Sequence, residues 1–188
     1  MARIRTFIGV EIGKTIRERA VALQEILARA STEVKWVEPE NLHVTLLFLG
    51  EVEDREVARV CKIVADCAQN ERAFPMTVAT VGCFPNPHRP RIVWIGIGEG
   101  AQALCRIHDA MELPLLELGY RREERRYTPH ITLGRVKSDR PPDQFSSALA
   151  KKAGWQGGDI TVTEILIMSS ELTPQGPKYT ILGRAPLG

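Results

Sequence analysis

Apolar positions along the chain switch repeatedly between a period of two and a period of three to four, dividing it into alternating strands and helices. RTFIGVEI (5–12) reads as a strand. KTIRERAVALQEILARA (14–30) reads as a helix, because Ile16, Ala20, Leu23 and Leu27 recur on one face. VKWVEP (34–39) and LHVTLLFL (42–49) are strand-like, with turn chemistry in PEN between them. A second helix at about 53–69 sets Val57, Val60, Cys61 and Val64 on one side. FPMTVATVGCF (74–84) and RIVWIGI (91–97) are strands flanking the Pro-rich turn PNPHRP (85–90). A third helix over about 100–118 contains Pro114, which is expected to kink or split it. A strand centred on HIT (130–132), a helix near 141–153 and the strands ITVTEILIMSSEL (160–172) and KYTILGR (178–184) complete the chain. This pattern predicts an α/β chain of the α+β type, rich in hairpin-like strand pairs. Its two histidine-bearing strands have similar neighbours in each half, which predicts two pseudo-symmetric lobes within one domain spanning residues 1–188.

Composition narrows the class without deciding it. The 188 residues are 44% hydrophobic and 26% charged, enough for one core of ordinary size. The apolar run near the N-terminus is short and broken by Glu11, and no stretch approaches the roughly 18 apolar residues of a membrane span. The cytoplasm is the expected location, with no membrane partner. Cys61, Cys67, Cys83 and Cys105 lack CxxC spacing and are expected to be buried reduced thiols. A net charge of +2 does not mark a nucleic-acid binder, since steering depends on where the charge lies.

Two short stretches carry the candidate chemistry. NLHVTLLFLG (41–50) and YTPHITLGR (127–135) place His43 and His130 in the same frame, each followed by a β-branched residue, a threonine and a leucine. A single histidine in a strand is commonly a satisfied core residue; the repeat argues otherwise. Side chains on a strand alternate faces, so His43 and Thr45 project opposite Leu42, Val44 and Leu46, and His130 and Thr132 project opposite Ile131 and Leu133. Two such strands meeting face to face bring two imidazoles and two hydroxyls around a small anion. Imidazole moves protons near neutral pH, and a hydroxyl donates to a phosphoryl oxygen without adding charge. Two histidines with no Asp or Glu at ligand spacing fall short of a catalytic zinc site. No GxSxG or GxxxxGK[ST] is present to support covalent or P-loop chemistry. The reading is acid–base catalysis with no metal and no cofactor.

The paired HVTL and HITL, the lead-in VKWVEPENLHVTLLFLGEV, the intervening GCFPNPHRPRIVWIGI and the trailing LGR together resemble the 2H phosphoesterase superfamily. Within it the chain is most similar to the RNA 2′,3′-cyclic phosphodiesterases, also called 2′-5′ RNA ligases. The resemblance implies a bilobal fold whose duplicated units place two antiparallel sheets around a central cleft. It also implies metal-independent hydrolysis of an RNA terminal 2′,3′-cyclic phosphate to a 2′-phosphate. On this chain His43 then matches the proton donor to the departing 3′ oxygen, His130 the acceptor that activates water, and Thr45 and Thr132 the phosphate-holding hydroxyls. The expected partners are RNA ends bearing a cyclic phosphate, tRNA fragments among them, or small cyclic nucleotides, met by a monomer. Reversible 2′-5′ ligation and a non-catalytic module that only holds RNA ends or phosphate are the alternatives.

Several other residues are candidate RNA contacts. RREERR (121–126), including Arg126, carries four arginines that could meet phosphates, against the plain reading of a solvated loop. Arg135 falls on the Leu133 face of a regular strand and turns toward the histidines only if a bulge at Gly134 re-aims it. Arg91 and His88 are placed at the rim by the Pro-rich turn. Phe7, Trp36, Phe48, Trp94 and Tyr179 are expected mainly in the core, with base stacking as the alternative, and His108 is expected at the surface.

Overall fold

The computed structural model describes residues 2–31, 33–121, 125–138, 143–174 and 176–188. The elements run β1 (Arg3–Glu11), α1 (Gly13–Ala28), β2 (Val34–Trp36), a single 3-10 turn (Pro39–Asn41), β3 (His43–Glu53), α2 (Asp54–Ala68), β4 (Phe74–Phe84) and β5 (Ile92–Ile97). They continue with α3 (Ala101–Leu116), β6 (His130–Val136), α4 (Asp143–Lys151), β7 (Gln156–Val162), β8 (Glu164–Thr173) and β9 (Gly176–Pro186).

Hydrogen bonding joins the strands in the order β7-β4-β5-β6-β3-β1-β8-β9, with β2 added against β6. Among the described residues every pairing is antiparallel. One half consists of β1, β3, β8 and β9, and the other of β2, β4, β5, β6 and β7. The halves meet where β3 runs against β6, with Val44 opposite Ile131. The two-sheet expectation thus resolves into one continuous sheet with a narrow seam between its halves.

The apolar faces predicted for the two histidine strands are where the core forms. Leu42, Val44 and Leu46 are buried with Ile131 and Leu133, in one cluster with Ile16 and Leu23 of α1, Val60 of α2 and Leu104 of α3. Removing these side chains from water is the main favourable term for the fold. It also commits the opposite face of each strand to the cleft, because the alternation allows no other outcome.

Three expectations need correction. The strand predicted over 160–172 is two strands, β7 and β8, because β7 pairs with β4 in one half and β8 with β1 in the other, and the chain crosses at Thr163. Pro114 does not split α3, which continues through it. Proline removes the amide that would bond the Ala110 carbonyl, and the Cys67 thiol of α2 donates to that carbonyl at 3.5 Å instead. Gln156–Val162 also begins earlier than the predicted strand, at residue 156.

Candidate active site

His43 is held from both ends of its ring. Its Nδ1 lies 2.6 Å from the Asn41 carbonyl, which can only accept, so Nδ1 carries the proton and Nε2 is bare in the neutral ring. Nε2 lies 2.7 Å from Thr45 Oγ1, which donates to it in that state. Phe7 and Tyr179 flank the ring at centroid distances of 4.8 and 5.4 Å. Burial pushes the His43 pKa below the ordinary imidazole value, opposed by the Asn41 carbonyl and assisted by the neighbouring His130. His43 therefore rests neutral. Gly9 of β1 leaves room for this arrangement, since a Cβ there would meet the Val44 carbonyl oxygen at 2.6 Å and the His43 ring at 3.2 Å.

His130 repeats the device. Its Nδ1 lies 2.7 Å from the carbonyl of Thr128, again two residues upstream, so its Nε2 is also the bare nitrogen of the neutral ring. Phe84 meets the ring edge-on at 5.2 Å. With Val44 opposite Ile131, continuing the antiparallel register by one step each way sets His43 across from Thr132 and Thr45 across from His130. The four polar side chains share the face that Val44 and Ile131 do not use. Tyr127 reinforces the junction by donating its hydroxyl to the Thr45 carbonyl at 2.9 Å.

A bulge in β6 brings in a charge. Val93 pairs with Gly134 and Trp94 with Thr132, so Leu133 is an extra residue in the ladder. The Leu133 carbonyl is satisfied outside that pairing, by the Val37 amide at 2.9 Å and by Nε2 of buried Gln24 at 2.9 Å. Past the bulge the alternation is shifted by one, and Arg135 lines the same cleft as His43, Thr45 and Thr132. Gly134 allows the tight packing of β2 there, because a Cβ would fall 2.7 Å from Val34 and 2.9 Å from Trp36. The cleft encloses about 260 Å³ beside His43, with Arg5, Trp36, Phe48 and Tyr179 also on its walls, while His130 stands outside this lining on the neighbouring strand. It offers an imidazole, two threonine hydroxyls and a guanidinium around a space suited to an anion bearing a flat group.

Comparison with known proteins gives this geometry a family. The LigT-like phosphoesterase family matches twice, over residues 10–94 and 95–179. The chain belongs to this family. The double match puts one histidine strand in each repeat. An RNA 2′,3′-cyclic phosphodiesterase of Methanothermobacter thermautotrophicus is 34% identical over 95% of this chain and 96% of its own length. One from Archaeoglobus fulgidus is 37% identical over 94% of this chain and 96% of its own. A crystal structure of a Thermus thermophilus protein superimposes with a TM-score of 0.82 at 28% identity, covering 98% of each chain. The crystal structure of Escherichia coli LigT with 3′-AMP shares the fold, with a TM-score of 0.79 at 24% identity over 98% of each chain.

The remaining candidates of this LigT-like phosphoesterase separate clearly. Arg126 is exposed and lies near α3, where its charge acts on the Cys105 thiol, and is not on the cleft wall. The RREERR stretch falls partly outside the described residues, at 122–124. Arg91 is exposed at the far end of β6 from His130, its carbonyl accepting from the Val136 amide at 2.9 Å. His88, in the Pro-rich turn, is likewise exposed and off the cleft wall.

His108 is a correction: it is buried, with Nδ1 2.9 Å from Asp109 and its ring stacked on Tyr127 at 4.3 Å. An apolar helix face and a tyrosine three residues before His130 give it a roof that helical spacing alone did not disclose. Phe7 is core as expected, whereas Trp36, Phe48 and Tyr179 line the cleft. The cysteines are free but half-buried rather than buried, and burial raises each thiol's pKa. Among the described residues no helix is long and apolar enough to cross a membrane, and no three of His, Cys, Asp and Glu gather as a metal-holding group. Sequence reasoning missed Asn41, Arg5 and Lys35; only the position of Asn41, two before His43, carried a readable signal.

Proposed function

We propose that this phosphoesterase hydrolyses the 2′,3′-cyclic phosphate at an RNA end to a 2′-phosphate, acting as a monomeric single catalytic domain of two pseudo-symmetric lobes in the cytoplasm and needing no metal. The observation that carries the proposal is the pairing of two imidazoles whose Nδ1 atoms are both tied to backbone carbonyls, at 2.6 and 2.7 Å, leaving both Nε2 atoms to exchange protons. Water adds to phosphorus as the P–O3′ bond breaks. His130 takes the water proton on Nε2, and His43 delivers a proton from Nε2 to O3′. Charge gathering on the non-bridging oxygens is met by the hydroxyls of Thr45 and Thr132 and by Arg135. The names of the archaeal relatives support the substrate class.

His43 as donor requires a proton that its resting environment disfavours. A cyclic phosphodiester brings one negative charge beside the ring and favours the imidazolium, so substrate binding itself loads the acid. When His43 Nε2 carries that proton it donates to Thr45 Oγ1, and the Thr45 hydroxyl hydrogen turns to the phosphate. A pH consequence follows. Activity is lost as pH rises through the His43 pKa, which in the free enzyme lies below the ordinary imidazole value of about 6.5. The alkaline limb of kcat, which reports the bound state, is therefore expected at higher pH than that of kcat/KM, which reports the free enzyme. Coincident alkaline limbs would transfer the acid role away from His43.

The decisive experiment incubates purified protein, with EDTA present, with a nucleoside 2′,3′-cyclic phosphate and with an oligoribonucleotide ending in one, and identifies products by phosphorus NMR. Hydrolysis to a 2′-phosphomonoester is expected, at a rate EDTA does not change. Binding without turnover would leave a phosphate-holding module, and loss with EDTA restored by zinc or manganese would require a metal mechanism.

A further inference from the structure

Asn41 forms a second connection that the reaction as described does not use. Its main-chain carbonyl accepts from His43 Nδ1 at 2.6 Å, and its side-chain Nδ2 donates to the Pro177 carbonyl at 2.7 Å. Asn41 itself is only 4% exposed. Pro177 belongs to the tip of the β8–β9 hairpin, whose Leu172, Gly176 and Pro177 line the cleft and whose turn is closed by Thr173 Oγ1 donating to the Gly176 carbonyl at 2.7 Å. One buried residue therefore touches the hairpin above the cleft with its side chain and the imidazole within it with its backbone. The other histidine has a different support, since Thr128, whose carbonyl holds His130, is exposed.

We infer that Asn41 is a positioning residue that couples the placement of the β8–β9 hairpin tip to the tautomer and aim of His43. The inference rests on His43 acting as the acid in the reading above. Asn41 is suited to this task because its side-chain amide and its main-chain carbonyl, carried on one buried residue, link two separated elements. If the side chain releases Pro177, the Pro39–Asn41 turn loses its tie to the hairpin, and the carbonyl that fixes the proton on Nδ1 loses its fixed position. The imidazole can then invert its tautomer, placing N–H where the leaving oxygen must be met by a chargeable nitrogen, or tilt away from it. Small misplacements of a proton donor reduce turnover far more than binding, because the proton moves only in the transition state.

The test uses Asn41→Ala and, from the other end of the connection, Thr173→Val. In Asn41→Ala, kcat on a nucleoside 2′,3′-cyclic phosphate is expected to fall about tenfold with KM changed less than about twofold. Imidazole nitrogen NMR of the free protein is expected to show His43 shifting from one tautomer, proton on Nδ1, to a mixture, with His130 unchanged. Thr173→Val should give a smaller loss of the same kind and add little in the Asn41→Ala background, since both act through one connection. Unchanged His43 tautomer and kcat in a folded Asn41→Ala protein would overturn the inference. So would Thr173→Val losses that multiply with those of Asn41→Ala. If parent protein turned over no cyclic phosphate while Asn41→Ala still altered the His43 tautomer, the proposed reaction would fail and the coupling would stand.

Discussion

Replacing His130 with alanine is expected to lower turnover of a cyclic phosphate by about 10²- to 10⁴-fold, and replacing His43 to do the same, as loss of a positioned acid or base does. The double replacement should cost little more than either single one, because acid and base act in one concerted event. The two variants should differ in stability. His130 is half-exposed, bonded through Nδ1 to the carbonyl of exposed Thr128 and met edge-on by Phe84, so His130→Ala should melt close to the parent. His43 lies within the Phe7 and Tyr179 rings and bonds to both Asn41 and Thr45, so His43→Ala opens a gap in a packed cluster and should melt lower. Steady-state kinetics beside thermal unfolding separates the effects: loss of rate in His130→Ala at an unchanged melting temperature is chemical. Near-parental turnover by His130→Ala would remove it from the mechanism.

The site was legible in the sequence to the extent that strand alternation governs it. Because Val44 and Leu46 must be buried, His43 and Thr45 must face the cleft, and the same holds for His130 and Thr132 against Ile131 and Leu133. What the alternation cannot reveal is where it is interrupted. Arg135 reaches the cleft because Leu133 is bulged out of the ladder, and the Leu133 carbonyl is met there by the Val37 amide and by Gln24, the latter more than a hundred positions away in sequence. Residues contributed by other elements were illegible for the same reason: Arg5 enters from β1 and Lys35 from β2, and each needs the sheet order before it has a place. His108 was misread because helical periodicity assigns a face but not the aromatic ring that comes to cover it. In the fold, Pro114 was a sound local signal overruled by a partner in α2 that no local window includes.

The two threonines, equal in sequence, have different surroundings, and valine at each is expected to show it. Thr132 lines the cleft, and among the described residues no hydrogen bond engages its hydroxyl, so its one assignable task is donation to the phosphoryl group. Thr132→Val keeps the shape and β-branching and removes that donor. A charge-assisted hydrogen bond to an anion contributes roughly 1.5 to 3 kcal/mol, so kcat/KM is expected to fall about ten- to a hundredfold while the melting temperature holds or rises slightly. Thr45 bonds to His43 Nε2 at 2.7 Å, and Thr45→Val removes the phosphate donor together with the hydroxyl that is hydrogen-bonded to the imidazole. It should therefore lose more activity than Thr132→Val, lower the melting temperature, and alter the pH limb assigned to His43, which Thr132→Val should leave in place. Rate–pH profiles of both variants beside their unfolding curves decide the matter. Full activity in both would make the threonines scaffold and leave the phosphate to Arg135 and backbone amides. Equal losses with an unmoved His43 limb would mean that the bond between Thr45 and His43 is absent once substrate is bound.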